Sequence, residues 1–127
     1  MARVLTIDDD GAVCATVCAI LERAGYQVVS AQDGRGGLKL LETGQFDLLL
    51  IDIFMPEMDG LEAIRVVRRS KPALPIIVMS GAMVERASMP DYLSFGTKLG
   101  ALESLRKPFK PATLLEAVGR CLGLAGH

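Results

Sequence analysis

The chain is 127 residues long, with 14 Lys and Arg against 15 Asp and Glu and a net charge of −1. With 50% hydrophobic and 23% charged residues, it has the composition of a single globular domain spanning residues 1–127. This excludes a disordered chain and leaves no room for a catalytic domain beside a separate regulatory or DNA-binding one.

Residues 4–7 form a short, branched apolar run that ends on Asp8, Asp9 and Asp10. A helix follows, because Val13, Val17, Ile20, Leu21 and Ala24 recur at helical spacing until Gly25 stops them. Residues 28–31 form the second apolar run. Asp33 then reads as the N-cap of a helix over 34–43 that ends near Gly44. The third run, 48–51, is closed by Asp52, and Leu61, Ile64 and Val67 mark a helix that stops before Pro72. The fourth run, 76–79, is followed by Ser80 and Gly81. Met89, Pro90 and Asp91 read as the start of a helix ending near Gly100, and a weak fifth strand is placed at 104–107, ending on Lys107. Pro111 suits the first turn of a last helix, with Leu114, Leu115, Val118 and Leu122 on one face. Three of the four apolar runs are nearly continuous, which fits strands buried on both faces of a parallel sheet. Five strands alternating with five helices predict an α/β three-layer domain with right-handed crossovers.

Charge is unevenly placed. Residues 1–60 hold four basic and ten acidic residues, whereas residues 61–127 hold ten basic and five acidic ones. No basic stripe of the kind that neutralises phosphates is present, and Trp is absent, so no direct nucleic-acid binding is expected. No apolar run approaches a membrane span, and the N-terminus meets acid too soon for a signal sequence. Cys14, Cys18 and Cys121 are an odd number without a nearby His, which reads as small apolar side chains in a reducing cytoplasm.

In such folds ligands bind beyond the carboxyl ends of the strands. There the chain offers carboxylates (Asp8, Asp9, Asp10, Asp52), one hydroxyl (Ser80) and one ammonium (Lys107). Each has a plain structural reading. One of the three leading aspartates serves as a helix N-cap, Ser80-Gly81 is ordinary turn chemistry, and a lone lysine is usually solvated. Together they mean more. Clustered carboxylates repel unless a cation compensates, and Mg²⁺ suits one or two carboxylates plus phosphate oxygens. The hydroxyl and ammonium, on the far side, suit the other oxygens of a phosphoryl group, and Asp is a competent phosphoryl nucleophile.

From VLTIDDD through LLLIDIFMPEMDGLEAI and PIIVMSG to LRKPF, essentially the whole chain resembles the receiver domain of two-component response regulators. The resemblance implies a flavodoxin-like (βα)₅ fold with strand order 2-1-3-4-5 (a family member is the stock example of that order). It also implies roles: Asp52 as phosphoacceptor; Asp8 and Asp9 as the acidic pair, with Asp9 the more direct Mg²⁺ ligand; Phe54 as a ligand through its backbone carbonyl. Ser80 and Lys107 are the implied contacts to the phosphoryl group, and the Lys107–Pro108 bond is expected to be cis. Met55-Pro56 and Asp59-Gly60 match the loop after the acceptor. The donor would be a sensor histidine kinase or a histidine phosphotransfer protein, and the output a changed affinity for a downstream protein. The chain is expected to be a stand-alone cytoplasmic receiver without separate substrate turnover, its oligomeric state, a homodimer included, left open. Two positions depart from the family pattern: Ser104 stands where an aromatic residue is frequent, and Phe54 where polar residues are frequent.

Other classes fit less well. A haloacid-dehalogenase phosphatase opens a D-x-D motif after its first strand, and Asp52-Ile53-Phe54 lacks the second Asp. A flavin or dinucleotide binder needs a glycine-rich loop where Asp8-Asp9-Asp10-Gly11 would repel the phosphate. A phosphorylation-independent interaction module is opposed by the intact set of chemical positions.

Overall fold

A computed structural model describes residues 2–53, 55, 60–80 and 103–125. In chain order these give β1 (Arg3–Ile7), α1 (Gly11–Arg23), β2 (Gln27–Ala31), α2 (Gly34–Thr43), β3 (Leu48–Asp52), α3 (Gly60–Ser70), β4 (Ile76–Ser80), β5 (Glu103–Arg106) and α4 (Pro111–Ala125). The expected helix near residues 89–100, together with Phe54, Pro56, Asp59 and Gly81, lies outside the described residues.

The five strands form one parallel sheet in the order β2-β1-β3-β4-β5, the flavodoxin-like order. Strand alternation divides the apolar residues between two cores. Leu5, Leu49, Ile51, Ile76 and Val78 meet Leu41 of α2 and Ile64 and Val67 of α3 on one face. Val4, Leu48, Leu50, Ile77 and Met79 meet Val17 and Leu21 of α1 and Leu114 and Val118 of α4 on the other. β3 and β4 are buried at every position, which accounts for their continuous apolar runs. Each fully buried Leu or Ile side chain contributes about 1.5–3 kcal/mol.

Local chemistry fixes the element ends. Asp10 caps α1 and Asp33 caps α2, each side chain accepting from backbone N–H groups of the first turn. At the other end of α1, Gly25 takes φ 97. Its N–H donates to Glu22 O and the Tyr26 N–H to Leu21 O, both at 3.0 Å, the pattern of a left-handed helix stop that suits glycine. The strand bounds differ from the sequence expectation by one residue: β1 and β2 start one residue earlier, β3 and β4 run one residue further to include Asp52 and Ser80, and β5 starts and ends one residue earlier, so Lys107 follows the strand instead of closing it.

Candidate functional site

The carboxyl ends of the central strands carry the polar residues, and the sheet ladder sets their heights. Ile7 pairs with Ile51, so Asp8 lies one step beyond β1 beside Asp52, the last residue of β3. The ladder continues past the strands: Asp8 N–H donates to Ala31 O at 3.1 Å, Ile53 N–H to Met79 O at 3.0 Å, and Lys107 N–H to Ser80 O at 2.6 Å. Asp8, Asp52, Ser80 and Lys107 therefore stand on backbone tied to the neighbouring strand.

Asp8 is fully buried and Asp52 is 4% exposed. Two adjacent buried carboxylates repel each other, and each loses hydration. The Lys107 ammonium offsets both effects by bridging them, 2.8 Å from Asp8 Oδ2 and 3.1 Å from Asp52 Oδ2. Burial disfavours the Lys107 charge, but the hydrogen bond to Asp8 and the charges of Asp52 and Asp8 outweigh it, so its pKa rises above the usual lysine value. The sequence expectation set the ammonium on the far side from the carboxylates. It lies between them instead, because an alkyl chain leaving the end of β5 reaches the only buried anions nearby among the described residues. The Lys107–Pro108 peptide is cis, as expected.

Asp9 is exposed, and ligand atoms of Asp8, Asp9 and Asp52 all lie within 4.8 Å of one another. Three carboxylates and one ammonium leave a formal surplus of two negative charges, which one divalent cation matches. An all-oxygen donor set favours a hard cation. Ser80 closes β4 fully buried, and its hydroxyl has no hydrogen-bond partner among the described residues. A buried unpaired hydroxyl costs stability, so its presence here fits a ligand that is not part of the chain. A cavity of about 380 Å³ opens next to the cluster, lined by Asp10, Val13, Thr16, Lys107, Pro108 and Phe109 among others.

The structure thus brings Asp8, Asp9, Asp52 and Lys107 together and sets Ser80 at the same sheet edge. Asp10 faces α1 and stays out of the cluster. The cysteines are free; Cys14 and Cys121 are buried, and Cys18 is half-buried. Sequence reasoning missed the hold of the Cys14 thiol on the Asp8 carbonyl, 3.3 Å away. The spacing of Cys14, one turn into α1, is the only signal that could have shown it.

The sequence matches the profile of the response regulator receiver domain over residues 4–119. The chain belongs to this family, whose general function is phosphorelay signalling. It is 33% identical over 86% of its length to the alkaline phosphatase synthesis transcriptional regulatory protein PhoP of Bacillus subtilis, of which it spans 43%. Among solved structures it is similar to a CheY-like receiver domain protein from Methanospirillum hungatei, with a TM-score of 0.90 and 32% identity over 99% of this chain and 97% of that one. It is also similar to the chemotaxis protein CheY4 of Vibrio cholerae, with a TM-score of 0.86 and 35% identity over 95% and 98% of the two chains. The chain spans less than half the length of the first curated relatives it matches. No helix of the described residues is long and apolar enough to cross a membrane.

Proposed function

We propose that this receiver accepts a phosphoryl group on Asp52, with Mg²⁺ held by Asp8, Asp9 and Asp52 and by the backbone carbonyl of Phe54. The observation that carries this reading is Asp52 itself. It is a 4%-exposed carboxylate at the end of a buried strand, clustered with Asp8 and Asp9 and paired with Lys107. A carboxylate in that position costs stability and is better explained by chemistry than by packing.

In the transfer a carboxylate oxygen of Asp52 bonds to phosphorus as the bond from phosphorus to the donor's nitrogen or oxygen breaks. The electron pair leaves with the donor, which takes a proton from water, and an acyl phosphate remains on Asp52. When bound, the cation neutralises negative charge on the carboxylate and phosphoryl oxygens. Lys107 exchanges part of its pairing with the carboxylates for the new anion, and the Ser80 hydroxyl gains an acceptor on a phosphoryl oxygen. The donor is the phosphohistidine of a sensor histidine kinase or of a phosphotransfer protein. The product acts in the cytoplasm by changing affinity for a downstream protein, without turnover of a separate substrate and without direct contact to nucleic acid.

Incubation with a small acyl phosphate and Mg²⁺ tests the reading by intact mass. One phosphoryl group should be added to wild type and none to Asp52→Asn. Stoichiometric labelling of that variant would move the acceptor elsewhere, and no labelling of wild type would favour an interaction module that works unphosphorylated.

A further inference from the structure

Asp10 is the one leading aspartate whose carboxylate turns away from the cluster. Its Oδ1 accepts from the N–H of Ala12 at 2.9 Å and of Val13 at 3.4 Å, and its carbonyl accepts from the N–H of Cys14 at 3.1 Å. These bonds fix the turn from residue 8 to residue 10. The same turn sends a hydrogen bond the other way, from Asp10 N–H to Asp8 Oδ1 at 2.9 Å. Asp8 therefore has Oδ1 held by the start of α1, while Oδ2 meets Lys107 at 2.8 Å. Its backbone is held as well, through Ala31 O and the Cys14 thiol. A fully buried carboxylate has no solvent to set its orientation, so these protein bonds set it.

We propose that Asp10 is a positioning residue for the acid cluster: by capping α1 it locks the turn whose N–H orients the Asp8 carboxylate toward Lys107 and the cation. The inference rests on the reading of Asp8 as a cation ligand, but the positioning is a property of the protein without any cation. The role belongs to the acceptor oxygen of residue 10 and not to its charge. Asn and Ser, which cap as well as Asp, therefore keep it, and Ala loses it.

The test compares wild type with Asp10→Ala, Asp10→Asn and Asp10→Ser, all below their melting temperatures. Amide exchange at residue 10 is followed by NMR without metal, with the Leu5 amide of β1 as the reference for global opening. Mg²⁺ affinity is then read by calorimetry. Relative to Leu5, residue 10 should exchange about tenfold faster in Asp10→Ala, and Mg²⁺ should bind about fivefold more weakly; Asn and Ser should stay within about twofold of wild type in both. Wild-type exchange in Asp10→Ala would overturn the proposal and leave Asp10 a helix cap alone. Asn and Ser as impaired as Ala would overturn it in favour of a direct charge effect. If wild type takes up no Mg²⁺, the cation reading fails, and the exchange series by itself upholds or overturns the positioning.

Discussion

Two hydroxyls, those of Thr6 and Ser80, are buried without a hydrogen-bond partner among the described residues, and they should behave differently when removed. Thr6 lies inside β1, paired in register with Ser30 and Leu50, two residues short of the carboxylates. Thr6→Val keeps the branched shape and deletes the unpaired oxygen, so it should raise stability by about 1 kcal/mol in urea unfolding and leave phosphorylation unchanged. Ser80→Ala deletes an equally unpaired hydroxyl, so it should not destabilise either. Yet it should slow phosphoryl transfer from a small donor by about a hundredfold, the usual effect of losing a donor aimed at developing charge. Equal rates for wild type and Ser80→Ala would remove Ser80 from the chemistry. Lys107 is the opposite case. Lys107→Met leaves two buried carboxylates facing each other, a change that should cost about 3 kcal/mol. Saturating Mg²⁺ should restore part of that loss, because a second cation then takes over the neutralisation. Urea midpoints with chelator and with Mg²⁺ measure both effects, and an unchanged midpoint in chelator would mean that the bridge contributes little. From sequence, Lys107 and the aspartates were legible as a set because each stands at or just past the end of an expected strand. That Lys107 bridges them was not, since a strand end gives a residue's height and not the reach of its side chain.

At the scale of elements, legibility followed burial. β3 and β4 are buried throughout, and continuous apolar runs announced them. In β5 only Leu105 is buried, with Ser104 and Arg106 exposed. An edge strand with one inward residue has no periodicity to detect, and its expected bounds slipped by one residue. The N-cap of α1 was hidden for another reason, since three consecutive aspartates are chemically equal until the backbone selects Asp10. The glycines of α2 also became interpretable only in the fold. A Cβ on Gly37 would fall 2.6 Å from Cγ1 of the fully buried Ile7, so the missing side chain lets α2 approach β1. Ala gains about 1 kcal/mol over Gly from helix propensity, but overpacking typically costs about 1–3 kcal/mol, and Ile7 has no solvent to swing into. Gly37→Ala should therefore destabilise the protein by about 1 kcal/mol net. Gly119 in α4 is the control, with nothing within 4 Å of the added Cβ; Gly119→Ala should stabilise by up to about 1 kcal/mol. Thermal unfolding of the pair decides the point, and a stabilising Gly37→Ala would show that α2 can shift away from the sheet.

At the scale of the whole molecule, the two halves of the sequence differ in charge, and the fold joins them at one edge of the sheet. The acidic first half supplies Asp8, Asp9 and Asp52, and the basic second half supplies Lys107. Another ion pair among the described residues, Glu103 with Arg120 at 2.7 Å, is more exposed and contributes little. Its hydrogen bond to Arg120 holds the Glu103 carboxyl below the usual range, so what it adds is present above the ordinary carboxylate pKa and fades as pH falls. The larger pH dependence should lie on the alkaline side. Burial, reinforced by the charge of Asp8, pushes the Cys14 thiol from 9.0 up to about 11; burial and the charge of Glu103 do the same for Cys121, again to about 11. In the unfolded chain both thiols ionise near 9, so between pH 9 and 11 the unfolded state has lost protons that the native state keeps. Raising the pH then favours unfolding. Their contribution is complete below pH 9 and is lost as pH rises through 11. Lys107, with its pKa raised above 10.5, adds a loss of the same sign at the top of that range. Urea midpoints from pH 7 to 11 should fall steeply above pH 9 in wild type. In Cys14→Ala combined with Cys121→Ala, the midpoint should start lower because packing is lost, but its slope between pH 9 and 11 should flatten. Parallel slopes would show that both thiols ionise as readily in the folded chain as in the unfolded one.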